Sequence, residues 1–93
     1  MSEGVEAARY IKTSVVERNL ANGRLLVQRV DADKAVQLAG SAPLIWELLD
    51  RKPTIRNIVD HLAQQFSDPA ETIEAGVRQA IDSLVSQQLV EEL

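Results

Sequence analysis

The apolar residues of this 93-residue chain change their spacing part-way along it. Residues 13–20 and 24–30 are runs rich in β-formers, separated by Ala21, Asn22 and Gly23. An Asn-Gly pair supplies the two positive-φ residues of a type I′ turn, so the two runs predict a hairpin. Alternation inside the runs is imperfect, because Leu25, Leu26 and Val27 are continuous, and the buried face stays open. Residues 31–34 make a second turn into a short strand at 35–39. The expected product is a three-stranded antiparallel meander whose last strand is an edge.

Beyond residue 40 the spacing becomes helical. Leu44, Ile45, Leu48 and Leu49 form one stripe, with Pro43 in the first turn, where its missing N–H costs little. Residues 50–53 stop that helix. Ile55, Ile58, Val59, Leu62 and Phe66 fall on one face of a second helix, with Thr54 as its N-cap. For the third, Asp68, Pro69 and Glu71 read as an N-cap, a first-turn proline and the far end of a capping box. Its core stripe is Ile73, Val77, Ile81 and Leu84, with Ala80 beside it. Gly76 costs about 1 kcal/mol against alanine there and is assigned to close packing. The fold class is α+β: a meander followed by a three-helix bundle, similar to a winged helix-turn-helix. Residues 1–12 are expected to be a flexible extension and 13–93 the domain.

Composition narrows the chemistry. Cysteine is absent, which removes disulfides and thiolate nucleophiles and fits a reducing, cytoplasmic setting. His61 lies off the apolar stripe of its helix without a convincing serine or carboxylate partner, and reads as a solvated histidine rather than a base. A lone histidine cannot supply a zinc site, and Asp31 and Asp33 lack the spacing of a calcium loop, so neither metal nor cofactor is expected. Trp46 reads as a core residue sealing the junction of sheet and helices. The chain reads as a non-enzyme, with no membrane span.

Charge decides about nucleic acid. Nine of the ten basic residues lie at or before Arg56; from Asp60 onward seven acids face Arg78 alone. A winged-helix DNA-binding module is the rival reading, but duplex affinity rests on Lys and Arg neutralising phosphates. The third helix offers Arg78 against Glu71, Glu74 and Asp82, so no nucleic-acid partner is expected.

What remains is the edge strand. A peptide can pair with an exposed edge, using main-chain hydrogen bonds for affinity and pockets for its alternate side chains. Lys34, Ala35, Val36, Gln37 and Leu38 are the candidate edge. Glu74, Arg78, Ile81, Asp82 and Val85 of the third helix are the candidate opposite wall. A second copy of the chain is the other cover for such an edge, and a homodimer stays open.

Three segments carry a resemblance. LAGSAPLIWELLD (38–50) is similar to the pattern L-N-x-x-(A/G)-x-x-I-W-x-L-L-D-G; PTIRNI (53–58) with AQQF (63–66), and LVSQQLV (84–90), follow in the expected order. The pattern is that of the PqqD-like proteins, the recognition elements of ribosomally made, modified peptides, and the resemblance covers roughly residues 14–91. Ala39, Arg51 and Gln88 stand where the pattern has asparagine, glycine and glycine. The resemblance implies a three-stranded sheet on three helices, without a catalytic group, binding the leader of a precursor peptide as an extra strand along residues 34–39. It also implies a partner, a modifying enzyme or leader protease, in quinone-cofactor, lasso-peptide or related pathways.

Overall fold

The computed structural model describes residues 8–93. Three strands form an antiparallel meander in the order β2-β3-β4: β2 is Val15–Asn19, β3 is Leu25–Arg29 and β4 is Val36–Leu38. Three helices follow, α1 Ala42–Leu48, α2 Ile55–Ala63 and α3 Ala70–Ser86. Meander and helices come in the expected order.

The hairpin turn differs in detail. Asn22 (φ 64°) and Gly23 (φ 73°) both take positive φ, as the pair predicts. The connection has three residues rather than two, because the Leu20 N–H donates to the Arg24 carbonyl (2.8 Å) and residues Ala21–Gly23 close as a 3-10 turn. That loop pairs Asn19 with Leu25 and Val15 with Arg29. Register fixes the buried face, since side chains alternate with a period of two. Leu25, Val27 and Leu38 are buried against the helices, while Leu26 is half-buried on the outer face.

One element was not foreseen. β1, Tyr10–Lys12, pairs antiparallel with β5, Val90–Glu92, as a separate two-stranded ribbon. The domain therefore begins before residue 13: the Tyr10 N–H donates to the Pro53 carbonyl (3.1 Å) and the Thr13 N–H to the Leu89 carbonyl (3.0 Å). The remainder of the expected extension, residues 1–7, lies outside the described residues.

The helices bury the anticipated stripes, with local exceptions. Ile45, Trp46 and Leu49 are each 1% exposed, so Trp46 is a core residue. Lys52 takes a left-handed conformation (φ 51°) and Pro53 follows, which ends the 3-10 turn Leu49–Arg51 beyond α1. Thr54 caps α2 in a reciprocal box: its hydroxyl accepts from the Asn57 N–H, and the Asn57 side chain accepts from the Thr54 N–H (both 3.0 Å). Phe66 lies past the end of α2 and is 41% exposed, not part of the buried face.

α3 starts one residue later than expected. The Pro69 carbonyl accepts from the Thr72 and Ile73 N–H groups (3.0 and 3.1 Å), so Pro69 is the cap residue and the Asp68–Glu71 box does not form. Ile73, Val77, Ile81 and Leu84 complete the core with Leu89 and Val90. The helix ends in a Schellman motif: Leu89 N–H to Leu84 C=O (3.0 Å) and Gln88 N–H to Val85 C=O (2.9 Å), with Gln88 left-handed at φ 63°. No helix among the described residues is long and apolar enough to cross a membrane.

Candidate functional site

The meander has two edges, β2 and β4, and the chain treats them differently. On β2, Glu17 shares the helix-side face with Val27, an inward-pointing charge on an edge strand. Its carboxylate lies 3.4 Å from Lys12 Nζ, which also reaches Asp50 (2.9 Å) and sits 4.7 Å from the Trp46 ring centroid. Charges placed this way deter pairing with another strand. β4 carries no such guard: Ala35, Val36, Gln37, Leu38 and Ala39 are all uncharged. Lys34, Ala35 and Gln37 are exposed, Val36 is half-buried and Leu38 buried.

The hydrogen-bond pattern identifies what β4 offers. The Val30 N–H donates to the Ser14 carbonyl, and the Leu20 N–H to the Arg24 carbonyl, so the even-numbered residues of β3 bond toward β2. In an antiparallel ladder the intervening residues bond to the other neighbour. Leu25 and Val27 thus bond to Leu38 and Val36. Gln37 lies between them, and its N–H and C=O point away from the sheet, as do those of Ala35 by the same alternation. The Ala39 carbonyl is taken by the Ala42 N–H (3.2 Å). The open edge is short and centred on Gln37.

On α3 the structure separates the candidate residues. Ile81 is 1% exposed and belongs to the core, where no peptide side chain can reach it. Arg78 Nε lies 3.0 Å from Glu74 Oε2 on an outer flank. Burial raises the Tyr10 phenol pKa; the Glu92 and Asp82 carboxylates raise it further, and Arg78 opposes them. Glu74, Arg78 and Asp82 therefore flank the β1–β5 ribbon, and Val85, 38% exposed, follows on the same side of the helix. Because Lys12 of β1 pairs with Glu17 of β2, that ribbon sits toward the guarded edge.

The other flank carries Gly76, Ala80 and Ser83, at spacings of four and three. Thr72, Ile73, Gly76 and Val77 line a hollow of about 160 Å³ together with Ile45, Leu62, Phe66, Asp68 and Ser41, which stands three residues beyond β4. Gly76 does not serve close packing, since a Cβ there would meet nothing within 4 Å. The sequence reading did not offer this flank as a binding wall; its mark is the small pair Gly76 and Ala80 one turn apart.

The remaining polar candidates stay structural. Asp31 receives both Nε and Nη2 of Arg29 at 3.0 Å, a turn contact. His61 is half-buried, with Nε2 3.0 Å from Gln65 Nε2.

The family model of coenzyme PQQ synthesis protein D (PqqD) matches residues 24–90. The chain belongs to the PqqD family. The match runs from the end of the hairpin turn to the first residue of β5, so it takes in the open edge and the whole of α3. Among solved structures this PqqD-family chain is similar to TbiB1, determined in complex with the TbiA(beta) leader peptide. The TM-score is 0.77 at 22% identity, over 87% of this chain and 93% of that one, a likeness of fold. No curated protein matches.

Proposed function

We propose that this protein is a non-catalytic peptide-binding module that takes the leader of a ribosomally made precursor peptide as a fourth strand on β4. It then presents that peptide to a separate modifying enzyme or leader protease. The observation that carries this reading is the open β4 edge, uncharged and with the Gln37 main chain facing outward. Edge addition needs little else, because main-chain bonds supply register and alternate side chains supply recognition. The family membership and the leader-bound structure of TbiB1 support it.

On this reading the peptide side chains across from Val36 and Leu38 point toward α3, and those across from Gln37 point to the outer face with Leu26 and Arg18. Lys34, exposed just before β4, meets whatever charge the peptide carries at that end. The acidic α3 gives a nucleic-acid phosphate no cation, because Arg78 is engaged by Glu74. The test is direct: the leader segment of a short peptide encoded beside this gene, labelled with fluorescein and titrated by anisotropy. Saturable binding with amide shifts in NMR spectra centred on residues 35–39 is expected. Shifts confined to the β1–β5 ribbon would refute the site.

A further inference from the structure

We infer that the groove between α1 and α2, with the basic corner at its end, is the surface on which the separate enzyme docks, through a segment of that enzyme that is both apolar and acidic; this rests on the proposed reading of the chain as a presenting module. The apolar part comes from leucines that the core leaves over. Leu44 and Leu48 belong to the same sequence stripe as Ile45 and Leu49, yet they are only half-buried, while Ile45 and Leu49 are 1% exposed. They face the groove instead. Two hollows of about 200 and 310 Å³ adjoin there, and Leu48, Arg51 and His61 line both. Pro53 and Ile58 line the first and Leu44 the second. The lining recurs at 44, 48 and 51 on one side and at 57, 61 and 65 on the other, the spacing of one helical face each.

Charge gives the second observation. The chain has a net charge of −4, but this corner does not share it. Arg9, Arg51, Lys52 and Arg56 gather at the turn from α1 to α2: Arg9 Nη1 donates to the Lys52 carbonyl at 2.8 Å, and Arg51 and Lys52 are exposed on the turn itself. Among the described residues no carboxylate lies within 4 Å of Arg9, Arg51 or Lys52. The acids nearby are placed otherwise. Asp50 reaches Lys12 at 2.9 Å, Asp60 reaches Arg56 at 3.5 Å, and Glu47 lines the second hollow. Exposed charges at the rim of a contact steer association and select the partner, so the complement of this corner is an acidic segment. A nucleic-acid backbone would use the cations but has no use for Leu44 and Leu48, which favours a protein.

Position is the third. None of the lining residues belongs to β4 or to α3. A leader paired on β4 leaves this groove open. One chain can then hold peptide and enzyme at once, as presentation requires.

The test uses the full chain and the purified modifying enzyme or leader protease encoded beside this gene, with enzyme binding followed by biolayer interferometry and leader binding by anisotropy. Wild type should bind the enzyme with an association rate that falls as salt rises from about 50 to about 200 mM. Arg51→Glu combined with Lys52→Glu should slow association at least about tenfold and flatten that salt dependence, with leader affinity within about twofold of wild type. Leu48→Gln should speed dissociation of the enzyme; if its thermal melt shows it unfolded, Leu44→Gln serves in its place. Unchanged enzyme binding after the double charge reversal, with leader affinity intact, overturns the docking groove and leaves strand addition standing. A wild-type chain that binds leader but no enzyme does the same. Leader affinity lost on the double reversal refutes both readings. Two other occupants are measured alongside: a wild-type dimer in sedimentation velocity that the reversal dissociates, or a mixed-sequence DNA duplex that wild type binds and the reversal releases, overturns enzyme docking here.

Discussion

Replacing Gln37 by proline separates peptide binding from folding more cleanly than any other change at the edge. The Gln37 N–H makes no bond inside the sheet, because only Val36 and Leu38 bond to β3. Proline is tolerated on an edge strand where its missing N–H faces outward, so the meander should survive. The bound peptide, however, loses a donor and is left with an unpaired carbonyl. Leaving such a group unsatisfied costs about 1–3 kcal/mol, which at 1.4 kcal/mol per decade is a loss of about five- to 150-fold in affinity. Gln37→Ala keeps the N–H and should bind within about twofold of wild type, as the interaction is main-chain. Val36→Pro removes a ladder bond to Val27 and should lower the melting temperature, which verifies the assignment of parity. The assay is anisotropy titration of the labelled leader, with a thermal melt of each variant. A folded Gln37→Pro protein with undiminished affinity would refute the edge assignment.

Three further outcomes follow from other parts of the molecule. Arg78→Glu breaks only an exposed pair with Glu74, worth about 0–1 kcal/mol, and should leave leader affinity unchanged; a loss of an order of magnitude by the same titration would put the peptide on the charged flank instead. Gln88→Gly should stabilise the fold by about 1 kcal/mol, since a side chain at φ 63° is strained and the contact it makes to Arg29 is exposed; differential scanning calorimetry should show the melting temperature rising by roughly 4–8 °C. Tyr10, whose pKa is raised above its ordinary 10.0 by burial and then by Glu92 and Asp82, contributes stability that is present below pH 10 and lost as pH rises through its folded value. Chemical denaturation between about pH 9 and 11 should therefore show a fall in stability that Tyr10→Phe removes; equal slopes in both proteins would contradict it.

Most of the frame was legible because it rests on local chemistry. Asn22 and Gly23 mark a hairpin whatever surrounds them, Thr54 with Asn57 caps α2, and the stripes from Leu44 to Leu84 have the helical period. What failed depended on partners distant in sequence or on a single residue of phase. Strands of three residues such as Tyr10–Lys12 and Val90–Glu92 are too short to show alternation, and they exist because each satisfies the other. The box at Asp68 and Glu71 was undone by a helix beginning one residue later, behind the Pro69 carbonyl. Which flank of α3 faces β4 is hidden from the sequence for a similar reason. Periodicity says which residues face the core, but not which flank lies beside β4 and which beside Tyr10. That needed the position of β1, which the periodicity did not contain.

The shortness of β4 has an energetic consequence for recognition. Gln37 and Ala35 each provide one outward N–H and one outward C=O, and four net contributions of about 0.5–1.5 kcal/mol each amount to no more than about 6 kcal/mol. Micromolar binding requires about 8 kcal/mol, before the cost of ordering a flexible peptide. The main chain alone therefore cannot hold a leader at that strength. Apolar burial at about 25 cal/mol per Å² must supply the rest, roughly 80 Å² or more of side-chain surface even before that ordering cost. A short edge keeps the free protein from pairing with arbitrary strands, and it transfers discrimination to side chains. An edge long enough to bind by backbone alone would accept any extended peptide; three residues of edge accept only one whose side chains also fit.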